Sequence, residues 1–100
     1  MAESIIWSQE SLDDIDSIAE YISRDSIYYA QQVVEQIFTA GESLLDNPMA
    51  GRKVPELGLE VIRERFIFSY RLIYEVNSDE INILAIIHGK RLLESVDNRF

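Results

Sequence analysis

Three runs of β-forming residues, joined by very short connections, constrain this chain more than any other feature. The runs are Val61–Ile67, Tyr70–Val76 and Ile81–Ile87, and connections of two and four residues separate them. Connections this short favour antiparallel hairpins, because a parallel crossover needs a dozen or more residues. The sequence therefore predicts a three-stranded antiparallel meander in the second half of the chain.

Two helical stripes precede the meander. Apolar residues recur every three or four positions from Ser8 to Ile22, and again from Ala30 to Leu45. Ser8 or Ser11 is suited to cap the first helix, Ser26 is suited to cap the second, and Pro48 predicts that the second ends at Asn47. The short break between the stripes predicts an antiparallel helical hairpin.

The remaining segments complete an α+β domain that spans residues 1–100. Ser4–Trp7 is rich in β-forming residues and is interpreted as an opening strand, and Met49–Leu59 is interpreted as a surface loop. The tail after Gly89 is expected to form a short helical turn. The predicted order is β-α-α-β-β-β, with the helical hairpin on one face of an antiparallel sheet.

The last strand of the meander is apolar on both sides. Alternation places Ile81, Ile83, Ala85 and Ile87 on one side and Leu84 and Ile86 on the other. A strand that is apolar on both sides needs cover on both sides, and one helical hairpin covers only one face. We therefore expect the second face to be closed by the C-terminal tail or by a partner chain.

Charge is distributed unevenly along the 100 residues. The net charge is -9, and the first fifty residues carry all of it, with ten acidic residues against Arg24 alone. An acidic half repels phosphate, so an extended nucleic-acid site has room only in the second half. The chain contains no cysteine, which excludes disulfides and thiolate metal sites and is compatible with a reducing compartment. With no signal-like start, we expect a soluble cytoplasmic protein.

Several short motifs, in this order, resemble the RelE/ParE superfamily of toxins from type II toxin–antitoxin systems, and are nearest to ParE. They are Trp7-Ser8 before the first helical stripe, Pro48–Glu56, Ile62–Glu64, Tyr70–Tyr74 and Ile87–Arg91. One departure is Phe68, which occupies a turn position where the family often has glycine. The resemblance implies a growth-inhibiting toxin neutralised by a cognate antitoxin, whose N-terminal part binds DNA and whose extended C-terminal segment covers the toxin.

Two activities follow from the resemblance, and they use different residues. ParE-like members inhibit DNA gyrase, a protein target that requires no catalytic centre, cofactor or metal. RelE-like members are ribosome-dependent endoribonucleases. We expect the ParE-like activity, with the ribonuclease and a non-toxic degenerate member as alternatives.

The candidate site residues form three groups. Guanidinium groups bind oxyanions and acidic partners, so the basic residues of the meander are the candidates for target binding. These are Arg63, Arg65, Arg71, Lys90 and Arg91. A nuclease would instead use a histidine or a carboxylate to move protons, with arginines to hold RNA. Its candidates are His88, Glu64, Arg63 and Arg91.

The apolar and aromatic residues of the last two strands are the candidates for antitoxin binding. They are Tyr70, Leu72, Tyr74, Leu84 and Ile86. Asp13, Asp16 and Glu20 lie along one side of the first helix and are interpreted as a solvated acidic face, because they have no nearby histidine and no metal-site spacing. Trp7, Tyr28 and Tyr29 are expected to be packing residues.

Overall fold

A computed structural model describes residues 2–90 and residue 99. The predicted helical turn of the tail and the candidate residue Arg91 lie outside the described residues.

Two helices pack against a five-stranded sheet. The elements are β1 (Ser4–Trp7), α1 (Gln9–Ser23), α2 (Ile27–Glu42), a 3-10 turn (Ser43–Leu45), β2 (Arg52–Lys53), β3 (Ile62–Ile67), β4 (Tyr70–Val76) and β5 (Glu80–His88). The spatial order of the strands is β1-β5-β4-β3-β2. The α+β class and the antiparallel meander β3-β4-β5 are confirmed, but the sheet as a whole is mixed because β1 runs parallel to β5.

Serine residues begin both helices, as the sequence predicts. The side-chain oxygen of Ser8 accepts a hydrogen bond from the backbone N–H of Ser11 at 3.0 Å, and that of Ser26 accepts one from Tyr29 at 3.1 Å. The end of α2 was predicted wrongly, because the helix ends at Glu42 rather than at Asn47. The hydroxyl of Ser43 donates to the carbonyl oxygen of Ala40 at 2.7 Å, and such local bonds compete with the helical pattern as the chain tightens into the 3-10 turn.

The main core lies between the helices and one face of the sheet. Its fully buried members include Val33 and Ile37 from α2. Three residues predicted to bind an antitoxin, Leu72, Tyr74 and Ile86, also lie in this core and are at most 2% exposed. The alternation along β4 was correct, but this is the face that the helices cover. The expectation that these three residues lie on a free face is therefore wrong.

A β-bulge at Leu84 changes the faces of β5. Tyr74 pairs with Ile83 and Ile73 pairs with Ala85, so Leu84 is an extra residue in β5. A bulge of this kind reverses the alternation beyond it. Ile86 consequently joins Ile81 and Ile83 under the helices, while Ala85 and Ile87 face the other side. The uninterrupted alternation predicted for this strand is correct only as far as Ile83.

The chain itself covers part of the second face. Val54 is fully buried there and Leu57 is partly buried, in a cluster with Ile62, Ile73, Ala85 and Ile87. The interpretation of Met49–Leu59 as a surface loop is therefore wrong at Val54, and it also missed the short strand β2. The segment after β2 thus supplies part of the cover that was expected from the tail or from a partner.

Phe68 is the only non-glycine residue with a positive φ among the described residues, at 54°. It is the first of the two loop residues between β3 and β4, a position where type II′ turns favour glycine because a Cβ atom is disfavoured there. The ring is 55% exposed and meets Tyr29 edge-on, with the ring centroids 6.2 Å apart.

Phe68→Gly is expected to be more stable to unfolding than Phe68→Ala by about 1 kcal/mol. Both variants lose the ring, but only glycine removes the steric cost of the left-handed backbone. Urea denaturation of the two variants measures the difference. Equal stability, or a less stable glycine variant, would show that the turn does not strain the Phe68 backbone.

Candidate functional site

A network of two arginines and two glutamates lies on the second face of the sheet. Arg71 Nε donates to Glu64 Oε1 at 2.7 Å, and its two terminal nitrogens donate to the two Glu56 oxygens at 2.9 and 2.8 Å. Arg52 Nε donates to Glu64 Oε2 at 2.7 Å. We call Arg52, Glu56, Glu64 and Arg71 the ion network.

Burial is greatest at the centre of the ion network. The Glu64 side chain has no exposed surface and that of Arg71 is 6% exposed, whereas Glu56 and Arg52 are 40% and 63% exposed. Buried charges require partners, and here each oxygen of Glu64 accepts from a guanidinium group. The network thus ties the segment after β2 to the centre of the sheet, beside the contacts of Val54 and Leu57.

The pairing register of β3 and β4 separates three of the arginines that are candidates for target binding. Arg71 pairs with Phe66, while Arg63 pairs with Tyr74 and Arg65 with Leu72. Arg63 and Arg65 therefore share the helix side of the sheet, and Arg71 lies on the second face. Arg63, Arg65 and Arg71, three of the candidates for target binding, therefore do not form one cluster.

Arg63 and Arg65 are engaged by the protein itself. Arg63 donates to the carbonyl oxygen of Gly51 at 2.9 Å and to that of Glu60 at 3.1 Å. Arg65 donates to Ser43 Oγ at 2.6 Å, close to the C-terminus of α2, where a cation also favours the helix dipole. Both side chains therefore contribute to joining β3 to its neighbouring segments.

Tyr74 holds the chain that leads into β2. Its hydroxyl donates to the carbonyl oxygen of Pro48 and accepts from the backbone N–H of Gly51, both at 2.9 Å. Burial raises the pKa of Tyr74, so the hydroxyl keeps the proton that it donates. The residue predicted to contact an antitoxin thus has a structural role.

Three of the four candidate nuclease residues, His88, Glu64 and Arg63, are not brought together, and the fourth, Arg91, lies outside the described residues. His88 is exposed at the end of β5, where Nδ1 accepts from the Lys90 backbone at 3.2 Å and the ring meets Tyr70 edge-on at 5.8 Å between centroids. His88 pairs with Tyr70 and so lies on the helix side, whereas Glu64 lies on the second face. Arg63 shares the side of His88 but pairs with Tyr74, four residues farther along β4.

Sequence reasoning missed an exposed pair formed by Arg52 and Phe66. The guanidinium carbon of Arg52 lies 5.5 Å from the centroid of the Phe66 ring, and Phe66 is 51% exposed. Tyr28 is 71% exposed, so its interpretation as a packing residue is wrong, whereas Tyr29 is 48% exposed and packs edge-on against Phe68. Trp7 does pack as expected, against Phe38 with centroids 4.7 Å apart.

Glu56 gives the ion network a dependence on pH. Hydrogen bonds from Arg71 lower the pKa of Glu56 below its ordinary value of 4.5. A carboxyl group with a lowered pKa stabilises the fold above the unfolded-state pKa, and this contribution is lost as the pH falls through the folded-state pKa.

We therefore expect Glu56→Gln to be less stable than the wild type at pH 7. The gap in unfolding free energy between the two proteins should narrow as the pH falls below about 4.5. Denaturant unfolding of both proteins from pH 7 to pH 2.5 measures the gap. A constant gap over this range would contradict the assignment of Glu56 as the titrating group.

The described residues offer neither a metal site nor a membrane-spanning helix. Within residues 2–90 and 99, no three His, Asp or Glu side chains are placed to hold a metal ion. In the same described part, no helix is long and apolar enough to cross a membrane.

The Asp14 carboxylate joins α1 to the last strand and to Arg99. It accepts from the backbone N–H of Ile86 at 2.9 Å and from two nitrogens of Arg99 at 2.6 and 3.2 Å.

Comparison with known proteins agrees with this fold. Toxin RelE2 of Caulobacter vibrioides is 30% identical over 89 residues, which are 88% of this chain and 97% of the relative. A chromosomal ParDE toxin–antitoxin system from P. aeruginosa matches with a TM-score of 0.73 and 21% identity, covering 88% of this chain and 97% of that one.

Two further solved structures share the fold. A mutant of the E. coli toxin RelE in the free state has a TM-score of 0.69 and 17% identity, covering 99% and 94% of the two chains. The YoeB dimer of Staphylococcus aureus has a TM-score of 0.61 and 19% identity, covering 88% and 98%. The model of the ParE toxin of the type II toxin–antitoxin system parDE matches residues 5–93. The chain therefore belongs to the ParE family of type II toxins.

Proposed function

We propose that this toxin inhibits growth by binding a protein, DNA gyrase, rather than by cleaving RNA. The proposal rests on the burial and the hydrogen bonds of Glu64, which is the carboxylate among the candidate nuclease residues. Each of its oxygens accepts from an arginine, and its side chain has no exposed surface. A general base must lie within hydrogen-bond reach of the proton that it removes, and a sealed carboxylate does not meet this requirement.

The placement of His88 supports the same conclusion. His88 and Glu64 lie on opposite faces of the sheet, so they do not form an acid–base pair around one scissile bond. Inhibition of a protein by binding has no such requirement. Lys90, which is exposed beside His88, remains a proposed target contact, as does Arg91.

We also propose that a cognate antitoxin with a DNA-binding N-terminal part holds the toxin inactive. Membership of the ParE family supports this partner, as does the parDE pairing named for the family and for the P. aeruginosa neighbour. Of the five residues predicted to contact the antitoxin, Tyr70 and Leu84 keep partial exposure and remain proposed contacts.

Two assays of the purified protein, run side by side, test the choice of target. We expect inhibition of supercoiling by DNA gyrase and no cleavage of mRNA on translating ribosomes, with both results unchanged in His88→Ala. Cleavage that is abolished by His88→Ala would overturn the proposal in favour of the ribonuclease. Neither effect, together with no growth arrest on expression, would indicate a degenerate member of the family.

A further inference from the structure

We propose that Arg52, stacked on Phe66, is the main contact of this toxin with its protein target and binds a carboxylate that lies beside an apolar side chain. This contact rests on the protein target proposed above and names the residues that recognise it. Arg52 is not among the basic residues that the sequence indicated as candidates for target binding.

Arg52 is exposed but held in place. Its side chain is 63% exposed, yet Nε donates to Glu64 Oε2 at 2.7 Å and the guanidinium carbon lies over the Phe66 ring, 5.5 Å from the ring centroid. Within the described residues, only Nε among its side-chain nitrogens makes a hydrogen bond to the protein. The two terminal nitrogens are therefore available to a carboxylate, which guanidinium groups bind in a fork geometry.

The support beneath Arg52 is buried and hydrogen-bonded. Glu64 is buried and is held by Arg71, whose terminal nitrogens are in turn held by Glu56. On the other side of the pair, Phe66 packs close to Gly89, where a Cβ atom would lie 3.3 Å from the Phe66 ring. A long side chain that is already ordered loses less entropy on binding, which is a property of strong interface contacts.

The composition of the pair suits a protein interface. Arginine and aromatic residues are enriched among the residues that dominate binding energy, especially where a charged group and an apolar surface occur together. Phe66 is 51% exposed and offers the apolar part of the contact. A partner with a carboxylate beside an aliphatic or aromatic side chain matches both groups.

Charge distribution favours an acidic protein segment over RNA. The excess negative charge of the chain belongs to residues 1–50, which form β1 and the helices, whereas the ion network lies on the sheet face opposite the helices. Within the network, two arginines balance two glutamates, and Arg52 is the exposed positive end. Binding to a phosphate backbone relies on several cations, and among residues 2–90 and 99 this face offers one exposed arginine.

The test compares Arg52→Ala, Phe66→Ala and Arg52→Lys with the control Lys53→Ala. Lys53 is the next residue in β2 and is exposed, but it pairs with Arg63 and lies on the opposite side. Because Arg71 remains beside Glu64, Arg52→Ala does not leave the buried carboxylate unpaired. Urea denaturation and co-purification with the antitoxin check that each variant remains folded.

We expect Arg52→Ala and Phe66→Ala each to raise the concentration needed for half-inhibition of DNA gyrase by about tenfold or more, with Lys53→Ala unchanged within about twofold. Arg52→Lys should also be impaired, because lysine keeps the charge but not the stacked fork. Growth arrest on induced expression should follow the same order. Folded Arg52→Ala protein that inhibits as strongly as the wild type would overturn the inference.

The outcomes separate this inference from the choice of gyrase. If the wild type arrests growth without inhibiting gyrase, the gyrase proposal fails. Loss of growth arrest in Arg52→Ala then still supports the Arg52 contact, and retention of growth arrest overturns it. If the wild type cleaves mRNA on ribosomes and Arg52→Ala abolishes cleavage, the ligand is a nucleic acid and the inferred protein contact is overturned. A wild type with neither activity overturns both.

Discussion

Replacing Arg71 with alanine is expected to lower the free energy of unfolding by about 3–5 kcal/mol. The substitution removes three of the hydrogen bonds in the ion network and leaves Glu64 buried with Arg52 as its remaining partner. Oε1 of this buried carboxylate then loses the donor that Arg71 supplied, which is costly because the low-dielectric interior replaces water poorly. Urea denaturation measures the loss of unfolding free energy, with one m-value, the slope of that free energy against urea concentration, used for both proteins.

A double variant provides the matched control for this expectation. In Glu64→Leu/Arg71→Met both buried charges are replaced by apolar side chains of similar length, and replacements of this kind are often neutral or stabilising. We therefore expect the double variant to be more stable than Arg71→Ala. If both proteins lose the same free energy, the loss in Arg71→Ala does not come from leaving the buried Glu64 carboxylate without its Arg71 partner.

Gly51→Ala is expected to destabilise the fold by about 3 kcal/mol, through steric overlap together with a lost hydrogen bond. A Cβ atom at residue 51 would lie 2.4 Å from the backbone oxygen of Glu64 and 2.7 Å from the Tyr74 hydroxyl. The first contact is with backbone in the neighbouring strand, so no side-chain rotation relieves it. Movement of the chain would break the hydrogen bond from the Gly51 N–H to Tyr74.

Two further variants separate the contributions at this position. Tyr74→Phe removes only the hydroxyl and should cost about 1–3 kcal/mol, because the buried Gly51 N–H loses its acceptor. Adding Tyr74→Phe to Gly51→Ala should not restore stability, since the contact with the Glu64 oxygen remains. Recovery in the double variant would show that the hydroxyl, and not the strand backbone, opposes a side chain at residue 51.

Local features of the fold were predictable because neighbouring residues encode them. Ser8 and Ser26 begin the two helices as expected, since a capping oxygen acts on amides two or three residues away. The predicted run Tyr70–Val76 has the same bounds as β4. The run Val61–Ile67 starts one residue before β3, and the run Ile81–Ile87 is one residue shorter than β5 at each end. Alternation and short connections suffice to specify such strands.

The candidate site was less predictable because it depends on which residues face each other. Arg63 and Arg71 are both in the meander, but their faces follow from the register of β3 and β4 rather than from either strand alone. The Arg52–Phe66 pair is formed by residues from different strands, and Phe66 gave no sign of exposure in a run dense in apolar residues. An arginine in a Gly- and Pro-containing segment was the only local signal.

The sequence by itself determined the two helices and the four longer strands of this protein, their order, the acidic character of its helical half and its resemblance to the toxin family. All of these depend on local spacing or on composition. Only the tertiary structure decided that Leu84 forms a bulge, that Val54 closes part of the second face, and that Arg71 and Arg52 converge on Glu64. Those features depend on pairing between distant segments, where a shift of one residue moves a side chain to the opposite face of the sheet.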